Sequence, residues 1–161
     1  MSDALDFSQK QTILLVDDSV GNLQLLNGLL KSDYKVKVAN RGDAALKIAA
    51  TLPLPDLILL DIMMPDMDGY EVCRRLKADQ TTADIPVIFL TAKSEVEDEE
   101  KGFAVGCADY ITKPVSPPIL RARVHTHLML KGARDYLKDQ NAYLEAELER
   151  RVRERMRDLG K

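Results

Sequence analysis

Short apolar runs recur along the chain and alternate with longer stretches in which apolar residues have helical spacing. Leu23, Leu26 and Leu30 illustrate that spacing, since they would share one face of a helix. Runs with little polar alternation are typical of strands that helices cover on both faces, as in a parallel sheet. The pattern predicts an α/β fold, a (βα)5 doubly wound parallel sheet with right-handed crossovers. The runs are residues 13–16, 36–38, 57–60, 87–90 and 110–111.

The pattern changes after Pro117 and Pro118. Residues 119–159 contain no proline and one glycine, which predicts an extended C-terminal helix about 60 Å long. Leucines spaced by seven and then by four indicate a coiled-coil seam; a solvated single helix held by ion pairs one turn apart is the alternative. We predict a disordered N-terminus at 1–11, a globular domain at 12–130 and a helical coiled-coil extension at 131–161. The predicted seam comprises Leu130, Leu137, Leu144 and Leu148.

Composition narrows the classes of function. The chain has 23 basic and 26 acidic residues, a formal charge of −3, and no tryptophan, which argues against a dedicated nucleic-acid binder. No apolar run approaches the ~20 residues that span a bilayer, and residues 1–12 lack the features of a signal peptide. Cys73 and Cys107 form no CxxC pair, so we expect two buried free thiols. The expectation is a cytoplasmic protein that contacts neither nucleic acid nor membrane.

Acidic residues follow two of the apolar runs directly. Asp17 and Asp18 come after the first run, and Asp61 comes after the third. In a doubly wound sheet of strand order 2-1-3-4-5 these two strands are neighbours, and ligands bind at their carboxyl ends. Three carboxylates close together are unfavourable unless their pKa values rise or a cation binds. Mg²⁺ is the simplest solution, because it prefers oxygen ligands.

Two further polar residues lie at the same predicted edge. Thr91 ends the fourth run and Lys113 follows the fifth. Each has an ordinary explanation when taken alone, as a strand former or a surface lysine, just as Asp17 has one as a helix cap. Their coincidence at one edge, beside a metal site and a spare carboxylate, indicates a cradle for a phosphoryl group.

The chain contains the segments ILLVDDS (13–19), LILLDIMMPDMDGYEV (57–72), PVIFLTA (86–92) and ADYITKP (108–114). Together they resemble the receiver domain of two-component response regulators over roughly residues 12–130. The resemblance implies a flavodoxin-like fold and makes Asp61 the phosphoacceptor. It implies that Asp18, Asp61 and the backbone carbonyl of Met63 hold Mg²⁺, with Asp17 binding through water.

The same resemblance implies the roles of the remaining site residues. Thr91 would hydrogen-bond a phosphoryl oxygen, and Lys113 would pair with the phosphoryl group. Ala92, the residue after Thr91, would belong to the same phosphate-binding and switch region. A cis peptide bond between Lys113 and Pro114 would orient the lysine. Tyr110 would rotate inward on phosphorylation and change the surface made by the fourth helix, the fifth strand and the fifth helix. The start of that fourth helix, residues 95–100, is strongly acidic.

The partner implied is a sensor histidine kinase or a phosphotransfer protein, and the chain would be a phosphoacceptor switch rather than an enzyme. The segment after residue 120 resembles the connector between receivers and cyclic-di-GMP output domains of the HD-GYP or GGDEF type. We therefore expect a homodimer through the C-terminal helix and an output domain outside this chain. The alternatives are an aspartyl-phosphate hydrolase, although Asp61 lacks an acid two positions later, and a constitutive coiled-coil scaffold with a vestigial receiver.

Overall fold

The computed structural model describes residues 10–92 and 96–160, and for residues 96–99 it describes the backbone alone. Within these residues five strands alternate with five helices, as the sequence pattern predicts. In chain order they are β1 Thr12–Val16, α1 Val20–Leu30, β2 Lys35–Ala39, α2 Gly42–Ala49, β3 Leu57–Asp61, α3 Gly69–Ala78, β4 Val87–Thr91, α4 Val96–Ala104, β5 Asp109–Thr112 and α5 Pro117–Leu159.

The five strands form one parallel sheet in the order β2-β1-β3-β4-β5. Strand β1 lies between β2 and β3, so that Leu14 is in register with Lys37 on one side and Ile58 on the other. The chain leaves β1 for β2 on one side and then crosses back past β1 to reach β3 on the other side, which creates the crevice of a doubly wound sheet. The predicted fold class, including the strand order and the long C-terminal helix, is confirmed.

The core has two layers because alternate residues of a strand point to opposite faces of the sheet. In β1, Leu14 and Val16 pack with α2 and α3, whereas Ile13 and Leu15 pack with α1 and the first part of α5. Helix α5 contributes Leu120, Val124 and Leu128 to the second layer, all three of them buried. At about 1.5–3 kcal/mol for each buried side chain of this size, these residues hold α5 against the sheet.

The described residues divide into two units, one ending at Leu128 and one starting at Met129. The second unit consists of the later part of α5, in which Arg150 pairs with Glu147 and with Glu154. The predicted domain boundary between residues 130 and 131 concerns independent folding and stays a prediction. The predicted disorder of residues 1–11 and the acidic side chains at 95–99 fall almost wholly outside the described residues.

Across residues 10–92 and 96–160, no helix combines the length and the apolar character that crossing a bilayer requires.

Candidate functional site

Asp17 directly follows β1 and therefore lies at the carboxyl edge of the sheet. Its side chain is fully buried and its oxygens are well satisfied. One oxygen accepts from the backbone N–H of Ser19 at 2.9 Å, and the other accepts from the side-chain amide of Asn22 at 3.3 Å. Ser19 is the N-cap of α1, so the turn that begins this helix also fixes the Asp17 carboxylate.

Asp61 is the last residue of β3, and its side chain is also buried. Carboxylate oxygens of Asp17, Asp18 and Asp61 all lie within 4.8 Å of one another, and Asp18 is the exposed member of the three. Burial, followed by the negative charge of Asp17, raises the pKa of Asp61. Hydrogen bonds from Lys113 and from the Met63 backbone oppose that rise.

Lys113 follows β5 and brings the positive charge of the site. Its ammonium nitrogen is 3.1 Å from Asp17 Oδ2 and 3.1 Å from Asp61 Oδ1. Burial lowers the pKa of Lys113, but Asp17 and Asp61 raise it by more than burial lowers it. The net effect is a raised pKa. One ammonium therefore contacts two carboxylates, and a third, from Asp18, lies in the same cluster. The site carries an excess of negative charge that a divalent cation would offset.

Thr91 ends β4 beside this cluster. Its side chain is buried, and its backbone carbonyl accepts the N–H of Lys113 at 2.7 Å, which ties the lysine to the end of β4. Ala92 follows and is exposed. The peptide bond between Lys113 and Pro114 is cis, and a second cis bond, which the sequence did not suggest, joins Leu52 to Pro53.

Tyr110 lies on β5 with its ring buried in a row of aromatic side chains. Its ring centroid is 5.9 Å from that of Phe89 and 5.2 Å from that of Phe103. Phe89 in turn meets Tyr70 edge-on at 5.4 Å, and the ammonium of Lys101 lies 4.4 Å from the Tyr70 ring. The row joins α4 to α3 along one face of the sheet, so a movement of Tyr110 would change the packing of both helices.

Two contributors to the site escaped sequence reasoning. The side-chain amide of Asn22 donates a hydrogen bond to the carboxylate of Asp17. The sequence feature that could have predicted this contact is an amide side chain in the first turn of the helix that follows the acid. Gly69 begins α3 and donates its N–H to the carbonyl of Ile62 at 2.8 Å. A Cβ at Gly69 would overlap the carbonyl oxygen of Asp61 and lie 2.8 Å from the Cα of Ile62. Glycine is thus required by the close approach of two backbones.

The four predicted seam residues lie in α5 outside the packed layers. Leu130, Leu137, Leu144 and Leu148 are each more than half exposed in this single chain. The exposed apolar series continues at Val152 and Met156. These side chains are therefore available for packing in a helix pair, since no part of residues 10–92 and 96–160 buries them.

Two cavities lie on opposite sides of α1. A small cavity of about 130 Å³ is lined by Asp17, one of the three clustered acids, and by Lys113. A larger groove of about 600 Å³ lies between α1, β2 and α2, and it contains none of the acidic residues. The smaller cavity is the better candidate for a reaction that needs charged groups, because charged side chains line it and none of the clustered acids lines the larger groove.

Comparison with known proteins agrees with this geometry. Residues 13–125 match the family model described as the response regulator receiver domain. A protein of Vibrio cholerae named "Probable cyclic di-GMP phosphodiesterase" is 52% identical over 149 residues, which cover 91% of this chain and 34% of that protein. The response regulator PleD of Caulobacter vibrioides is 44% identical over 131 residues, covering 81% of this chain and 29% of that protein. The chain thus spans about a third of the length of these curated relatives.

The chain is also similar to a solved structure that contains magnesium. The receiver domain of a sensor histidine kinase from Pseudomonas aeruginosa, which has a magnesium ion coordinated in its active-site cleft, is 30% identical with a TM-score of 0.68. The match covers 74% of this chain and 98% of that chain. The fold and the acidic edge define a receiver of two-component signalling. The chain belongs to the response regulator receiver family.

Proposed function

We propose that this chain is a phosphorylation-controlled switch in which Asp61 accepts a phosphoryl group from a sensor histidine kinase or a phosphotransfer protein. The observation that carries the proposal is the buried Asp61 carboxylate, which lies beside Asp17 and 3.1 Å from the ammonium of Lys113. A purely structural ion pair would be neutral, because unbalanced buried charge is destabilising. This site keeps excess negative charge, as a site that works with a divalent cation does.

The acidic cluster fits Mg²⁺, because three sets of carboxylate oxygens lie within 4.8 Å of one another and hard cations prefer oxygen. In the proposed arrangement Asp18, Asp61 and the backbone carbonyl of Met63 are direct ligands, and Asp17 binds through water. When bound, the ion neutralises negative charge on the transferred phosphoryl group.

Asp61 acts as the nucleophile in the proposed reaction. One of its carboxylate oxygens forms a bond to phosphorus while the bond from phosphorus to the donor histidine nitrogen breaks, and that nitrogen keeps the electron pair. Lys113 lies close enough to pair with a phosphoryl oxygen after transfer. Thr91, at the end of β4, offers its hydroxyl to the same group. Hydrolysis of the acyl phosphate resets the site, so the chain is a switch rather than an enzyme with an external substrate.

The proposed readout uses Thr91, Ala92 and Tyr110. Thr91 shifts toward the phosphoryl group, the backbone at Ala92 follows, and the inward position of Tyr110 becomes more populated. The changed surface is the one made by α4, β5 and α5. Since Tyr110 contacts Phe89 and Phe103, its position sets how α4 packs on the sheet.

The proposed output is a homodimer, formed in the cytoplasm through the seam of α5, that controls a cyclic di-GMP domain. The exposed leucines of the seam support the first part, since exposed apolar stripes at this spacing are typical of coiled coils. The similarity to a relative named as a cyclic di-GMP phosphodiesterase supports the second.

Acetyl phosphate with Mg²⁺ tests the phosphoacceptor role directly. The wild-type chain should gain one phosphoryl group, detected by intact mass and mapped to Asp61 after reductive trapping. Removal of Mg²⁺ with EDTA should abolish the gain, and so should Asp61→Asn. Asp66→Asn, at an exposed acid, is the matched control and should leave the gain unchanged.

Other outcomes separate the alternatives. Release of phosphate over many cycles would indicate an aspartyl-phosphate hydrolase. Failure to gain a phosphoryl group, with a dimer that is the same in the wild type and in Asp61→Asn, would indicate a scaffold with a vestigial receiver. Sedimentation with and without beryllofluoride, which stands in for the phosphoryl group, measures whether the dimer depends on the switch.

A further inference from the structure

Gly102 occupies an unusual position inside α4. The residue is buried and faces β5. A Cβ built on it would overlap the hydroxyl oxygen of Tyr110, lie 2.8 Å from Tyr110 Cζ and lie 3.1 Å from Phe89 Cδ2. Glycine has a lower helix propensity than alanine, so its presence in the last turn of α4 calls for a reason. The reason on the page is space, because the Tyr110 side chain fills the volume that a methyl group would need.

The surroundings of Tyr110 are built for a tyrosine. Phe103 presents its ring at 82° to that of Tyr110, an edge-to-face arrangement that aromatic pairs favour. At the far end of the ring, the Tyr110 hydroxyl hydrogen-bonds the buried thiol of Cys107. Both the apolar body and the polar tip of the side chain therefore have partners. We call this cavity the Tyr110 socket, made by Phe89, Gly102, Phe103 and Cys107.

We propose that Gly102 is the positioning residue that admits Tyr110 to the socket, and that it thereby sets the balance between inward and outward Tyr110. The socket exists in the chain as described, whatever happens at Asp61. The second part of the proposal, that this balance is coupled to the acceptor site, rests on the proposed function.

Tyr110 is the group that yields when the space at Gly102 is filled. Helix α4 is anchored at this point, since the carbonyl of Gly102 accepts the N–H of Cys107 at 3.1 Å. The overlapping atom of Tyr110 is the end of a side chain that can leave by rotation about χ1, whereas the helix backbone cannot move away as easily. A methyl group at position 102 should therefore expel the ring into solvent and leave the fold in place.

Coupling to the acceptor site follows from linkage. If a phosphoryl group on Asp61 favours the inward ring, then the inward ring must favour the phosphoryl group by the same factor. Gly102→Ala should accordingly weaken the binding of beryllofluoride in the presence of Mg²⁺ several-fold. The weakening would arise without any change in the residues that touch the anion.

The socket is tested with 3-fluorotyrosine incorporated into the full chain and observed by ¹⁹F NMR. Tyr110→Phe assigns the Tyr110 signal among the five tyrosines. In Gly102→Ala, without any phosphoryl donor, that signal should move to the position of a solvent-exposed tyrosine. Gly28→Ala is the matched control, because a Cβ at Gly28 meets nothing within 4 Å, and it should leave the signal in place. An unmoved Tyr110 signal in Gly102→Ala overturns the proposal.

A second pair of variants covers the case in which Gly102→Ala fails to fold. Adding Tyr110→Ala removes the atom that the methyl group would overlap, so the double variant should fold as well as Tyr110→Ala alone. If the double variant is as unstable as Gly102→Ala, the clash lies elsewhere and the proposal fails.

The beryllofluoride titration decides the coupling. An affinity several-fold weaker in Gly102→Ala than in the wild type and Gly28→Ala supports it, and equal affinities overturn it. A wild type that binds no beryllofluoride and gains no phosphoryl group would overturn the proposed function and the coupling together. The ¹⁹F signal would still decide whether Gly102 admits Tyr110.

Discussion

The ammonium group of Lys113 lies 3.1 Å from the carboxylate of Asp61, although the two residues are far apart in the chain. The same nitrogen is 3.1 Å from Asp17, so one cation is shared by two buried acids. Neither acid can be neutralised fully, and the third carboxylate, from Asp18, adds to the excess. Without a divalent cation, the excess negative charge of the site therefore destabilises the fold, and two substitutions measure different parts of that cost.

Lys113→Met should destabilise the chain, because it leaves the buried carboxylates without their cation. A hydrogen bond to a charged group contributes about 1.5–3 kcal/mol, which sets the expected loss in the free energy of unfolding. Urea titration at neutral pH and without Mg²⁺ measures it. Added Mg²⁺ should recover more stability in Lys113→Met than in the wild type, since the ion then meets less competing positive charge. Equal stability of the two chains would show that Lys113 does not balance the acids.

Asp61→Asn should have the opposite effect on stability. Burial and then Asp17 raise the pKa of Asp61 in the folded chain, so the folded state holds this proton more tightly than the unfolded state does. Ionisation of Asp61 therefore lowers stability, beginning as the pH passes the unfolded value of about 3.9 and complete above the folded-state pKa. The asparagine variant should therefore be more stable than the wild type at pH 7 without Mg²⁺.

That gain should shrink toward zero at a pH below 3.9, where the acid is protonated in both states. Urea titrations of the wild type and the variant across this range give the difference at each pH. Asp66→Asn serves as the control, because Asp66 is exposed and its positive φ suits asparagine equally well. A gain that is independent of pH would mean that charge at Asp61 is not its cause.

These residues show how far sequence reasoning reaches. Strand runs and the acids that end them are local features, and the rule that ligands bind at the carboxyl ends of parallel strands converts them into a site. The sharing of Lys113 between Asp17 and Asp61 depends instead on how three strands are arranged in space. The overlap that a Cβ at Gly102 would create with Tyr110 depends on how α4 packs over β5. No local pattern encodes either contact.

Gly69→Ala should be costly for a reason that local propensity does not contain. The added methyl group would meet backbone atoms of Asp61 and Ile62, which cannot rotate away. Overpacking of this kind costs about 1–3 kcal/mol, and it would displace the acceptor itself. Gly28→Ala, in open space on α1, should instead stabilise the chain by up to about 1 kcal/mol. Urea unfolding of both variants gives the comparison, and equal effects would contradict the steric explanation.

Cys73 and Cys107 should be inert while the chain is folded. Both are free and buried, and burial raises the pKa of Cys73 to about 11. Thiolate is the reactive form, so at pH 8 a disulfide reagent such as Ellman's should label the folded chain far more slowly than a free thiol. Both thiols should react promptly in denaturant. Fast labelling of the folded chain would mean that α3 and the loop before β5 open readily.

The exposed leucines of α5 form the proposed dimer contact. Leu144→Lys places a charge in the middle of the proposed helix pair and removes an apolar side chain from each copy. Burial of one leucine is worth about 1.5–3 kcal/mol, so the dimer should dissociate at least about tenfold more readily. Ala142→Lys adds the same charge two residues away and off the seam, and it should not change association. Sedimentation equilibrium distinguishes them, and equal behaviour of the two variants would place the dimer contact elsewhere.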